Sequence, residues 1–454
     1  MLYNLFKPLV IISLRAYFKR IDVIGANRLE EDSTIYVCNH PSALFDPIVV
    51  ASTTKRPIYF LAGAEWFGKG MQSWLFQNQF NMIPVYRPWL AKGKEKEQSS
   101  NEEMFSASYR SLEEGKRIII FPEASSKTVP WIRDIKTGAA RIKMGADKHI
   151  GRENAVKLIP IGLNYSNTHR FQTNVLINVG EAVDFSDIIA DSTLDEKEQV
   201  RQMTARIHDR MSDLVYYPED AENFQFIKDV KRVLTDVLMA ELGIAEGDVE
   251  GEFKIRKRIV NEIIQLSHEK PTEVSAIAKR LRNYLDEYQT LGFRKYNPFE
   301  EKPTNLFMKV LGIVFGFPLF VTGTIFNLLP FLLTNWAYRK YFLSKVTGEH
   351  KDGQLNSAFA GSLGFMAGFV IFLVWYILLL ILGSVLTSFW IALAFTMGLG
   401  YISGRFAMLY YKWVIQAGKY MNWKSLEKKH ANVIEDILKE RQSIISELLR
   451  MRNS

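Results

Sequence analysis

The stretch Asn39-His40-Pro41-Ser42-Ala43-Leu44-Phe45-Asp46-Pro47 places an imidazole and a carboxylate one short turn apart. That pair is what makes a hydroxyl nucleophilic: the imidazole removes the proton, and the carboxylate fixes its tautomer and stabilises the imidazolium that forms. Further on, Phe121-Pro122-Glu123-Ala124-Ser125-Ser126 supplies a second carboxylate and two hydroxyls. Each turn follows an apolar run, Thr34-Ile35-Tyr36-Val37-Cys38 or Arg117-Ile118-Ile119-Ile120, that reads as a buried strand. Two strands emptying into polar turns assemble a site at one edge of the sheet of an α/β enzyme. Asp46 before Pro47 also fits a helix N-cap with Pro at the first helical position, a role compatible with facing the imidazole. Cys38 ends a buried strand on a different face from its neighbour, which favours a filler role over a nucleophilic one.

Residues 30 to 180 alternate short apolar runs with polar, helix-like stretches, the pattern of an α/β domain. The runs predict strands over 34–38, 57–62, 81–86, 117–121, 156–164 and 173–179. Gln98 to Gly115 reads as a helix with Phe105, Tyr109 and Leu112 on one stripe, capped near Ser100 or Asn101 and stopped by Gly115. Asp195 to Leu214 reads as a charged helix that closes the domain. Gly63-Ala64-Glu65-Trp66-Phe67-Gly68-Lys69-Gly70 imitates a P-loop, but it lacks the magnesium-ligating hydroxyl and carries bulky Trp66 and Phe67. There is no Gly-x-Ser-x-Gly elbow and no His-Glu-x-x-His metal site.

Around this domain the composition shifts. The apolar residues, 48% of the 454-residue chain, pile up late, and a single cysteine excludes an intrachain disulfide. Residues 1–28, interrupted by Lys7, Arg15, Lys19 and Arg20, read as an amphipathic helix in a membrane interface, with a soluble helix packed on the core as the alternative. The α/β domain follows over 29–216, and 217–304 is a charged segment of two or three helices with Gly247 and Pro271 as breaks. Residues 358–404 carry no charge. As one helix they would run ~70 Å against a hydrocarbon core of ~30 Å, so they predict two spans that turn near Gly383 and Ser384. Residues 305–338 are interrupted by Pro318 and Pro330 and flanked on both sides by positive charge, which predicts a re-entrant or hairpin segment. Residues 405–454 read as a Lys-rich helical tail. The consistent topology puts the N-terminus, the α/β domain and the tail on the cytoplasmic side. The net charge of +8, with no nucleic-acid-binding motif and long apolar segments in the same chain, points to anionic lipid and not to nucleic acid.

Four ordered motifs over residues 1 to 215 resemble the membrane-associated glycerolipid acyltransferases: His40 with Asp46, Met82-Ile83-Pro84-Val85-Tyr86-Arg87, Phe121-Pro122-Glu123, and Val156-Lys157-Leu158-Ile159-Pro160-Ile161-Gly162. Lys136-Thr137-Gly138-Ala139-Ala140-Arg141 adds to the resemblance. The common first motif has four residues between His and Asp; here there are five, a spacing associated with a branch that includes fungal-type glycerol-3-phosphate acyltransferases. Ala124 stands where the family usually has Gly, and Ser126 where many members have Arg. From Ala124 an ordinary backbone φ is expected, because a left-handed Ala would cost on the order of 1 kcal/mol.

The resemblance implies a glycerol-3-phosphate acyltransferase-like mixed α/β sheet with helices on both faces, extended here by the helical segment and C-terminal membrane helices. It implies acyl transfer from acyl-coenzyme A or acyl carrier protein to a hydroxyl of glycerol-3-phosphate or lysophosphatidate, with no cofactor or metal and with membrane lipids as partners. His40 and Asp46 would be catalytic. Arg87, Glu123, Ser125 and Ser126 would hold the acceptor, with Lys127 replacing the missing Arg and Lys136 and Arg141 as further cations for its phosphate. The longer spacing favours glycerol-3-phosphate over lysophosphatidate. The alternatives are another lyso-lipid acceptor, such as an amino-acid lipid, and an inactive lipid-binding scaffold. The protein would be integral to a bacterial inner membrane, or to the endoplasmic reticulum of a eukaryote.

Overall fold

The computed structural model describes residues 2–64, 67–85, 94–152, 154–218, 223–290, 306–343, 357–429 and 431–453. They form two compact units: Met1–Asp220 with Tyr338–Met366, and Ala221–Ala337 with Ala367–Ser454.

The first unit is built on seven strands: β1 (Arg20–Ile24), β2 (Thr34–Cys38), β3 (Ile58–Gly63), β4 (Met82–Val85), β5 (Arg117–Ile120), β6 (Lys157–Tyr165) and β7 (Asn174–Val179). Their order in the sheet is β1-β7-β6-β2-β5-β3-β4, and every pair is parallel except β6 with β7. The period of two along β2 shows which residues serve which face. Ile35 and Val37 enter one core with Ile118, Leu158, Ile142 and Met203, whereas Tyr36 and Cys38 enter the other with Ile119, Ile161, Leu14 and Phe45. The expected mixed sheet with helices on both faces is the fold observed. Helices α4 (Lys94–Glu113), α5 (Gly138–Ile150) and α7 (Glu196–Ser212) pack on the first face; α1 (Leu2–Tyr17) and α2 (Phe45–Thr53) pack on the second. Two short helices, α3 (Met71–Gln79) and α6 (Ser186–Ala190), complete the unit up to residue 218.

Several local expectations need correction. β1 falls within 1–28, expected to be helix throughout; its Arg20-Ile21-Asp22-Val23-Ile24 is a half-exposed edge strand whose charges hide the strand pattern. The helix before it packs on the core, the alternative reading of this segment: Leu14 and the adjoining Phe18 are buried while Leu5 and Ile12 stay exposed. α4 starts at Lys94, ahead of the expected Ser100 or Asn101 cap. Its end is as read: Gly115 takes φ 74°, and the amides of Gly115 and Lys116 donate to the carbonyls of Leu112 and Ser111, the two bonds of a Schellman motif.

The second unit opens with three amphipathic helices, α8 (Phe224–Glu241), α9 (Val249–Glu269) and α10 (Pro271–Thr290). Apolar α11 (Leu306–Ala337) follows and ends in a π-helical turn, Tyr338–Leu343, in the first unit. Next come α12 (Ala360–Leu386), α13 (Phe389–Phe395) with a π-helical turn over Thr396–Ile402, α14 (Ser403–Lys429) and α15 (Ala431–Asn453). The tail is not free: Ile434, Ile444 and Leu448 of α15 are buried, and Arg280 of α10 pairs with Glu440 (2.9 Å) and Glu447. Three helical stretches, Phe307–Phe342, Ala360–Leu386 and Phe389–Lys429, are long and apolar enough to cross a membrane.

α11 is one uninterrupted helix and not a hairpin, although Pro318 and Pro330 lie inside it. Pro330 cannot donate to the Phe326 carbonyl, and the Trp375 indole N–H of α12 does so instead at 2.9 Å. The turn expected at Gly383 and Ser384 is displaced to Thr387 and Ser388. The hydroxyls of Ser384 and Thr387 bond back to the carbonyls of Leu380 and Gly383, both at 2.7 Å, so these polar groups are satisfied in a helix that continues to Leu386.

Candidate active site

β2 and β5 are neighbours in parallel register, with Val37 opposite Ile120, so the turns that leave them emerge side by side at the carboxyl edge of the sheet. The first turn solves the five-residue spacing locally. Ala43 adopts φ 47°, Phe45 and Asp46 donate amides back to the Ser42 and Ala43 carbonyls, and α2 begins at Phe45. Asp46 therefore lies inside the first helical turn, and Leu44, not Asp46, is the N-cap. The Asp46 carboxylate points back at the loop. Its Oδ2 lies 2.8 Å from His40 Nδ1 and accepts the Ser42 amide at 2.8 Å.

Asp46 is fully buried, whereas the His40 side chain is 20% exposed and stacks on Phe121 with ring centres 4.3 Å apart. Burial pushes the Asp46 carboxyl up from its usual range, and the hydrogen bond and charge of His40, with the Ser42 amide, offset part of that rise. The Tyr165 hydroxyl, at the end of β6, also faces this carboxylate, yet neither it nor Asp46 Oδ1 completes a well-aligned bond. Cys38 is buried with its thiol pushed well up, which suits a filler and not a nucleophile. Asn39 ties the end of β2 to β6, its amide exchanging bonds with the Leu163 carbonyl (3.1 Å) and N–H (2.7 Å).

The second turn fastens the first. Ser126 Oγ donates to the His40 carbonyl and accepts the Ala43 amide, both at 2.9 Å, and the Lys127 amide reaches the same His40 carbonyl at 3.1 Å. Ser126 thus braces the turn and is not free to hold an acceptor. Ala124 sits at φ 61°, contrary to the ordinary φ expected from its side chain. The turn imposes the left-handed conformation, and Ala bears its cost.

Glu123 is likewise occupied. Its Oε2 accepts the His40 amide at 3.3 Å and Nη2 of Arg133 at 2.7 Å, and its Oε1 accepts the Arg133 amide at 3.2 Å. Arg133 also donates to Ser125 Oγ at 3.1 Å and to the Ser125 carbonyl. Burial pushes the Glu123 carboxyl up and the Arg133 guanidinium opposes that. Sequence reading missed Arg133. Its only signal was an Arg beside apolar Trp131 and Ile132 in a loop, and Ile132 is the buried anchor that aims it.

The remaining candidates divide. The Lys136 amide donates to the Pro122 carbonyl at 2.9 Å, which keeps this exposed cation beside the second turn. Arg141 lies on the exposed side of α5 with its guanidinium 5.9 Å from the Phe105 ring centre of α4, so the structure turns it toward α4 and does not bring it to the dyad. Arg87 lies outside the described residues.

The sequence profile of the family described as Acyltransferase matches residues 20–164, which contain His40, Asp46, Glu123 and every strand except β7 and the last residue of β6. The first unit carries an acyltransferase domain of that family. No curated protein matches the chain. Among solved structures, the 1-acyl-sn-glycerophosphate (LPA) acyltransferase PlsC from Thermotoga maritima aligns with 46% of this chain and 78% of its own, at 18% identity and a TM-score of 0.32. In the acyltransferase domain the imidazole side of the dyad is partly open to solvent and its carboxylate side is sealed. That polarity suits a base whose reacting nitrogen is Nε2.

Proposed function

We propose that this acyltransferase esterifies a hydroxyl of a phosphorylated glycerol acceptor, glycerol-3-phosphate or lysophosphatidate, with the acyl group of a coenzyme A or carrier-protein thioester at a membrane surface. The observation that carries the reading is the 2.8 Å pairing of His40 Nδ1 with fully buried Asp46 at the sheet edge. His40 Nε2 takes the acceptor hydroxyl proton as its oxygen attacks the thioester carbonyl. The C–O bond forms, the tetrahedral intermediate collapses with loss of the C–S bond, and the proton passes from His40 to the departing thiolate. Asp46 holds Nδ1–H and offsets the imidazolium charge.

Lys127 and Lys136, flanking the two turns, and Arg87, carried over from the family resemblance, neutralise the acceptor phosphate. Glycerol-3-phosphate is favoured by the five-residue spacing in the first turn. Thiol release from palmitoyl-coenzyme A, followed with each acceptor in parallel, tests the choice: release with glycerol-3-phosphate alone is expected. Release only with lysophosphatidate would reassign the acceptor, and release with neither would reject this acceptor class for that donor.

A further inference from the structure

We infer that Arg133 is a positioning residue for His40, acting through Glu123, and not a cation that holds the acceptor phosphate; this rests on the proposed acyl transfer. The guanidinium is 16% exposed, and its Nη2 bonds the Glu123 carboxylate while Nη1 bonds Ser125 Oγ. Its charge is already neutralised by a carboxylate that is 2% exposed. A buried carboxylate stays ionised only when paired, and unpaired it takes up a proton or swings to solvent.

Either response would release what Glu123 holds. Oε2 is the acceptor for the His40 backbone N–H at 3.3 Å, while Ser126 Oγ and the Lys127 amide hold the His40 carbonyl from the other side. His40 is therefore gripped at both backbone polar groups and at Nδ1, and Arg133 secures one of the three grips. With both Glu123 oxygens engaged by Arg133, that carboxylate is not free to receive the acceptor's hydroxyls, the role the family resemblance assigns to it. The grip comes from a loop ten residues downstream, at the side of a turn where Ser126 stands in place of the Arg common in the family.

The kinetic constants of the full chain in membranes separate the two roles. Arg133→Ala is expected to lower kcat by ~10- to 10²-fold with the acceptor KM within about twofold, because a base displaced by a fraction of an ångström loses rate and not affinity. Added guanidinium ion is expected to restore part of kcat without changing the melting temperature. The double variant Glu123→Gln/Arg133→Met removes both buried charges; it is expected to fold and to be no slower than Arg133→Ala. An acceptor KM raised tenfold or more at unchanged kcat would overturn the inference in favour of phosphate binding, and wild-type constants in the folded double variant would overturn it outright. Wild type run alongside is the control: no acceptor-dependent thiol release from it would reject the acyl-transfer reading itself.

Discussion

At the residue scale the site trades stability for function. Asp46 is fully buried and its carboxyl is pushed up, so its ionisation opposes folding. The folded state binds the proton more tightly than the unfolded one. Stability therefore falls as pH rises from about the usual 3.8 through the raised folded value, and the penalty is complete above it. Asp46→Asn removes the penalty and the partner of the imidazole together. Its melting temperature is expected to exceed wild type at neutral pH and to converge on it at the acid end of that window, with kcat lowered; a variant less stable at neutral pH would contradict this. Ala124 pays a different cost. Relief of its left-handed φ, less the entropy of an added glycine, predicts that Ala124→Gly stabilises the first unit by about 0.5–1 kcal/mol in thermal unfolding. The dyad was legible because spacing and residue type carry it. The left-handed Ala124 and the Arg133 clasp were not, since both are imposed by how two loops meet across β2 and β5.

At the element scale, the acyltransferase domain does not end where its motifs end. Phe365, in the second turn of α12, is buried in the same core as Phe45 and Tyr17, with ring centres 5.3 and 5.6 Å away. Phe45 adjoins Asp46 and opens its helix. A Cβ at Gly361 would lie 2.2 Å from the Thr168 carbonyl oxygen, so α12 makes closer contact with the domain than any side chain there would allow. Phe365→Ala is expected to destabilise the first unit by ~3–5 kcal/mol, read as a lower midpoint for heat inactivation. An unchanged midpoint would show that α12 is not part of that core. Sequence alone placed strands β2 to β7 to within about a residue because each is a continuous apolar run, fully buried in β2 and partly buried in β3 and β4. It missed β1 and misplaced the turn after α12, where edge charges and back-bonded hydroxyls mask the local signal.

At the scale of the whole molecule, chain continuity constrains how three apolar helices meet a bilayer. Lys309 and Lys340 put positive charge on both flanks of α11, and we predict that the two face the same surface. The pairing of Arg280 with Glu440 joins the helices before and after the apolar region, which requires an even number of crossings between them. We predict that α12 and the α13–α14 run supply two, each being long and apolar enough to cross. Cysteines introduced in place of Lys309, Lys340 and Thr387 against the buried Cys38 background test this with an impermeant maleimide. Positions 309 and 340 are expected to label from the same face and 387 from the opposite one; labelling of 309 and 340 from opposite faces would contradict it.

The proposed reaction stands on His40 as the base for acyl transfer. The measurement that meets it most directly is acceptor-dependent thiol release by membranes carrying wild type or His40→Ala at matched, folded amounts. His40→Ala is expected to lose at least ~10²-fold in turnover, as on removing a positioned general base, while its melting temperature stays near wild type. Release by His40→Ala at the wild-type rate would contradict it.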